Sequence, residues 1–354
     1  MTIDNNKIGG FTKDQFENKM RVYNANETFA NPGFEQQITT TTQILSRVLD
    51  TVYYELDGQK LSDFTPIEEG FGSFSTEILQ YATKATGTDF KSCLIHPTAG
   101  ALNQDGYTDI EIGDIKYPNN FFRDTFSVTK EGQEIAARNM IPFDIYEQKE
   151  RARYKKFQLG LQDAWFVGLD DGRSYGLLNQ PDAIVDTAFM TKNLSEMSDD
   201  EFSAWVSQIR GRYNNTTNST ANFDRIALPQ EEYFALDRPF GTFGLTRRQV
   251  LEEVVKANGG KIVYSRYNTT AGTGGKPRYA VYKYDPDYIE GFIPLAYTPF
   301  PLYPVNALDM ISNCMAQFVT PQLKRKNTLL YWDVPNAKTV AKVGSAKVGE
   351  SVVA

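Results

Sequence analysis

The chain has 354 residues, with 37 Lys and Arg against 44 Asp and Glu for a net charge of −7, and 41% of its residues are hydrophobic. That balance belongs to a folded globular chain, and its acidity argues against coating nucleic acid over the whole surface, although a local basic face is compatible with it. No run nears the ~18–20 apolar residues of a membrane-spanning helix, and the opening MTIDNNKIGGFTKDQ has no apolar stretch of the kind a secretory signal requires.

Residues 1 to about 35 are polar and interrupted by Gly9-Gly10 and Asn31-Pro32-Gly33, which reads as an extended arm. From Ile38 the positions Thr41, Leu45, Val48 and Val52 follow in steps of three and four, the spacing of a short amphipathic helix. From about Pro66 to Phe126 the chain is rich in Gly, Thr and Asp and alternates, as in TDIEIGDIKY (108–117). This predicts a long two-stranded excursion with little core of its own, which needs a partner surface to be stable.

Pro142 and Asp144 then open a helix over about 143–168, with Glu147 three residues after Asp144 in the capping-box arrangement. At 1.5 Å per residue it would be roughly 35 Å long. Tyr154, Phe157, Leu161, Ala164 and Trp165 form its apolar stripe, and the basic run Lys149 to Lys156, laced with acids that include a Glu147–Arg151 pair, reads as a solvated or inter-subunit face. Gly168 supplies a left-handed stop, and LDDGRS leads into YGLLNQPDA.

A second helix carries the box Ser198–Glu201 and the stripe Phe202, Trp205, Val206, Ile209 and Tyr213. NNTTNST (214–220) is a polar surface loop, FDRIALP a buried strand, and TRRQVLEEVVKANGG a third helix with Thr246 and Gln249 as box. KIVYSRY (261–267) and RYAVYKY (278–284) read as a hairpin or as neighbouring strands. Alternating helices and strands over about 185–300 make a compact α/β or α+β unit. MISNCMAQFVTPQLKRKNTLLYWDVP is strand-like, and a small-residue tail follows.

A search for chemistry returns nothing. AGTGGKP (271–277) suggests a phosphate loop, but the required Ser or Thr after Lys276 is Pro277, and a strand follows where a helix is needed. Asp170 and Asp171 lack the further oxygen ligands and closing Glu of a calcium loop. His96, the only histidine, has no nucleophile motif beside it, and Cys93 and Cys314 read as small apolar residues, neither zinc ligands nor a disulfide framework. No catalytic, cofactor-binding or metal-binding residue is expected.

The order of these features, with AWFVGLDDGRSYGLLNQP (164–181), FDRIALPQEEYFAL (223–236) and YKYDPDYIEGFIPLAYTPFPL (282–302), resembles tailed-phage major capsid proteins of the Hong Kong 97 (HK-97) type. The resemblance spans about residues 30–335 and implies an α+β capsid fold. It implies an N-terminal arm (1–34) and a peripheral domain (35–66, 127–184 and 300–335) with its spine helix. It further implies an extended loop (67–126), an axial domain (185–299) and a C-terminal tail (336–354). The implied function is a non-enzymatic shell subunit, assembled in the host cytoplasm through pentamers and hexamers into a virion that encloses double-stranded DNA. Portal, scaffolding and decoration proteins would be its partners, with no membrane and no cofactor. The arm is short for a cleavable scaffolding segment, so scaffolding would come from a separate protein or have been removed already. Lys84 and Lys91 could serve in cross-linking, but no motif selects them, and none is expected. An encapsulin-like compartment shell and a soluble enzyme with an unrecognised site are the alternatives.

Overall fold

The structure is a computed structural model that describes residues 58–87, 107–138, 145–169, 171–241 and 244–334, with Leu56 and the pairs 7–8 and 11–12. The expected helix from Ile38, most of the arm, Lys91, Cys93, His96, Asp144, Asp170 and the tail lie outside the described residues. In one compact unit, residues 1–52, strands β1 (Lys7–Ile8) and β2 (Phe11–Thr12) pair antiparallel.

The second unit, residues 53–354, opens with α1 (Leu61–Phe64), β3 (Ile67–Glu69), β4 (Glu77–Gly87), β5 (Thr108–Pro118), β6 (Asn120–Thr129) and α2 (Lys130–Arg138). It continues with α3 (Ile145–Phe166), β7 (Ile184–Asp186), α4 (Asp199–Thr216), β8 (Arg225–Pro229), α5 (Gln230–Ala235), β9 (Pro239–Phe240) and β10 (Leu245–Thr246). Then come α6 (Arg247–Lys256), β11 (Lys261–Ser265), β12 (Arg278–Tyr282), β13 (Ile289–Pro299), β14 (Tyr303–Pro304), β15 (Asp309–Leu323) and β16 (Leu330–Asp333).

Five strands form a first sheet in the order β11-β8-β12-β16-β7. Its strands alternate between two buried faces, so they read as continuous apolar runs. Ile226, Leu228, Tyr279, Val281, Leu330 and Trp332 share one core with Phe202, Trp205, Ile209 and Tyr213 of α4 and Leu251 and Val255 of α6. Ala227, Val263, Ala280, Tyr282 and Tyr331 enter a second core. The capping boxes of α4 and α6 are present: Ser198 accepts from Glu201 N while Ser198 N donates to Glu201, and Thr246 and Gln249 do the same. Such a cap stabilises a helix by about 0.5–2 kcal/mol. The runs beginning at Lys261 and Arg278 are not neighbours, because β8 lies between β11 and β12, parallel to the first and antiparallel to the second. RIALP is buried at four of its five positions, as a strand paired on both sides is.

The second sheet runs β14-β15-β13-β3, with β6 also paired to β15. The long α3, about 33 Å at 1.5 Å per residue, lies on it through Phe157, which packs against Phe122 and Tyr297 with ring centroids 5.1 and 5.3 Å apart. The helix α2, which the sequence did not suggest, follows β6 directly. β13 belongs to the second sheet and β16 to the first. A division by sheet therefore falls near residue 288 and again between 323 and 330. β4 and β5 form a two-stranded antiparallel ladder from Glu77↔Pro118 to Gly87↔Thr108, the expected excursion.

The chain crosses between the sheets three times, at 167–183, 283–288 and 324–329, and residues 65–66 lead from α1 into β3. The second core sits at these segments and takes Phe64, Phe166, Leu177, Leu178, Ile289 and Leu329 from beside or within them.

Candidate functional site

The segment after α3 is a corner that closes the helix and turns the chain onto the first sheet. Gly168 has φ +87°, and a Cβ there would lie 2.5 Å from Ser174 O, so only glycine fits. Leu177 N and Leu178 N donate to Trp165 O and Phe166 O (2.8 and 3.0 Å), which satisfies carbonyls the helix end leaves open. Asn179 accepts from Gly176 N at 2.6 Å and donates to Val167 O. Asp171 accepts from Arg173 N, Ser174 N and Ser174 Oγ; burial opposes its charge, but these bonds hold its carboxyl below the usual range.

Buried polar groups tie this corner to both sheets. Gln180 donates to Pro321 O on β15 (2.6 Å), and its backbone N–H donates to the Tyr331 hydroxyl, which in turn donates to Leu177 O. Arg278 donates to Leu178 O (2.5 Å), to Asp333 Oδ1 (2.7 Å) and to Asp333 Oδ2 (2.8 Å), with its guanidinium 4.4 Å from the Tyr331 ring centroid. Thr273 N and Oγ1 complete four donors to Asp333. Burial pushes the Asp333 pKa up, but Arg278 and Thr273 outweigh it and hold the carboxyl below its usual range. The glycine-rich loop thus grips the protein's own carboxylate, and Gly272 N closes it on Lys276 O (2.8 Å). On β13, Gly291 lies against the Trp165 ring, whose indole N–H donates to Thr65 Oγ1 (2.9 Å).

Arg153 departs from the expected solvated face. It is buried, donating to Tyr297 OH (3.0 Å), Ser312 O (2.8 Å), Ser312 Oγ (3.1 Å) and Glu150, with the Phe126 ring 4.5 Å away. The buried line of α3 runs through Arg153, Phe157 and Ala164, while Tyr154, expected on the stripe, is exposed. Its basic neighbours do face outward: Arg151 pairs with Glu147 (2.7 Å) as expected, and Lys156 pairs with Asp124 (2.9 Å). Neither the Arg278–Asp333 nor the Arg153–Glu150 cluster was singled out from sequence. The available signal for the first was a charge at the end of each of two apolar runs, RYAVY and LLYWD.

The hairpin β4–β5 has two unlike faces. At its root Ile78 and Tyr117 are buried with Phe292 and Val319, and burial beside Glu290 pushes the Tyr117 hydroxyl up to about 12. Toward the tip that same face carries Lys84 opposite Glu111. The register places Leu79, Tyr81, Ile112 and Ile110 together on the opposite face, all exposed. Tyr81 and Ile112 are 72% and 68% accessible, so the stripe finds no cover among the described residues. Cys314 is free and buried in β15, and no group of His, Cys, Asp or Glu among the described residues could hold a metal ion. No helix among them is long and apolar enough to cross a membrane.

The model of the family described as "Major capsid protein" matches residues 103–334, about two thirds of the chain. Among solved structures, the capsid of Myoviridae phage XM1 superposes with a TM-score of 0.70 at 11% identity, covering 83% of this chain and 97% of that one. The capsid of the native GTA particle gives 0.54 at 10%, covering 82% and 95%. A chain from Microbacterium phage Oxtober96 gives 0.54 at 10%, covering 85% and 98%. At such identities the likeness is one of fold. No curated protein sequence matches the chain.

Proposed function

The chain belongs to the major capsid protein family and has the Hong Kong 97 type fold, and from that premise we propose that it builds a tailed-phage head by joining copies into pentamers and hexamers around double-stranded DNA. The observation that carries this reading is the stripe Leu79, Tyr81, Ile110 and Ile112, an apolar face on a two-stranded hairpin that has no cover among the described residues. A hairpin of two strands is marginal alone and gains stability when such a face is buried, at about 25 cal/mol per Å² before association costs.

In this reading the second sheet with α3 is the peripheral domain, the first sheet with α4 and α6 the axial domain, and β4–β5 the extended loop that lies across a neighbour. The assembled head is the site of the protein in the virion, and portal and scaffolding proteins are its further partners. The reading assigns the chain no reaction.

Electron microscopy of the purified full-length chain, with size-exclusion chromatography beside it, tests the proposal. Closed shells or rings of five and six are expected, and Ile112→Asp should abolish them while leaving the protomer's thermal midpoint unchanged. A species that stays small even with a co-expressed scaffolding protein would refute it.

A further inference from the structure

The turn at the root of the hairpin, EGFGSFS (69–75), carries three separate costs in the isolated chain. Phe74 has φ +62°, the left-handed region that its Cβ disfavours. Phe71 and Phe74 are 55% and 65% exposed, and Phe121, paired with Gln317 in the β6–β15 register, is 50% exposed. Because Phe74 N donates to Gln317 Oε1 (2.7 Å), the turn sits over that same pair. Beneath it, Gln317 Nε2 and Asn119 Oδ1 are buried with no hydrogen-bond partner. Gln317 is completely inaccessible and Asn119 is 8% exposed. Asn119 spends its own N–H groups on the turn, donating to Ser75 O (2.9 Å) and Gly72 O (3.4 Å).

An orphaned donor and an orphaned acceptor beneath one turn are the complement of a peptide backbone, which offers one carbonyl and one N–H per residue. We propose that this turn, with Phe121, is a docking site for an extended segment of a second copy of the chain. That segment's apolar side chains cover Phe71, Phe74 and Phe121, and as it docks the strained turn shifts and opens Gln317 Nε2 and Asn119 Oδ1 to its backbone groups. The inference rests on the self-assembly proposed above, and a second copy is the occupant because a shell of one chain type offers every patch to its own neighbours and the patch adjoins the hairpin assigned to that contact.

Hydroxyl-radical footprinting of wild-type protomers and shells tests it directly. Phe71, Phe74 and Phe121 should be oxidised in the protomer and protected several-fold in shells made of this chain alone. Equal reactivity in both states would overturn the inference while leaving the shell reading intact, and protection that appears only with a second protein present would overturn the choice of occupant. Absence of any shell would remove the reading beneath it. Phe74→Gly supplies the second measurement, because glycine tolerates the left-handed backbone. The protomer should be at least as stable as wild type, while the critical concentration for assembly rises by about tenfold or more. Assembly at the wild-type concentration would count against the site.

Discussion

Replacing Arg278 with Met keeps the length and apolar stem of the side chain while removing the guanidinium. Asp333 would keep only Thr273 N and Oγ1 as donors, Leu178 O would lose its 2.5 Å bond, and the carboxylate would remain buried at 2% exposure. Breaking a buried pair by deleting one partner costs about 3–5 kcal/mol, because the other charge stays in place uncompensated. Urea unfolding of dissociated protomers should show that loss for Arg278→Met. The double variant Arg278→Met/Asp333→Leu should recover most of it, since removing both charges is often near neutral. The folded-state pKa of Asp333 is depressed, so its contribution is present above the ordinary carboxylate range near pH ~4 and is lost as pH falls through the lower folded value. The gap between wild type and Arg278→Met should therefore narrow in acid. A single-variant cost below about 1 kcal/mol at pH 7, or a double variant as unstable as the single, would refute the claim that this pair holds the corner.

Gly291→Ala should destabilise the protomer by about 1–3 kcal/mol or more, since a Cβ there would lie 2.5 Å from Trp165 Cζ2; unfolding midpoints measure it. Glu232 is buried and accepts from Ser195 N and Oγ (2.8 and 2.9 Å), and burial, outweighing those bonds, raises its pKa. A raised carboxyl pKa means that the folded chain takes up a proton more readily than the unfolded one. Stability from this group is thus fullest below its unfolded pKa and declines as pH rises through the folded value. Glu232→Gln should raise the thermal midpoint at pH 8, with the gain shrinking toward pH 5; a gain independent of pH would count against the assignment.

The parts of the fold that were legible in the sequence are those specified by neighbours in the chain. The boxes Ser198–Glu201 and Thr246–Gln249 placed two helix starts because cap and partner lie three residues apart. The alternation of TDIEIGDIKY likewise marked the hairpin, and its register then collected Ile110 and Ile112 with Leu79 and Tyr81. The glycines around YGLLNQP marked a corner, but not what it grips: Gln180 reaches Pro321 and Arg278 reaches Asp333, partners 141 and 55 residues away. Arg153 was illegible for the same reason. A charge on a charged helix looks solvated until Ser312 and Tyr297, 159 and 144 residues distant, are folded beneath it. Strand order was also beyond local pattern, since β11, β8 and β12 all carry apolar runs and nothing in those runs says which lies in the middle.

The three crossings between the sheets give the protomer its mechanical character. One crossing alone would act as a hinge, but these are fastened at several points: Lys324 N to Tyr288 O (2.8 Å), Lys324 to Glu290 (2.5 Å), Lys326 to Asp182 (3.1 Å), and Tyr282 OH to Phe64 O (2.6 Å). Fastened in this way, the two sheets would carry a torque applied to the hairpin together, as one stiff tile. A shell made of such tiles flexes and fails along its seams, where subunits meet, before any tile bends.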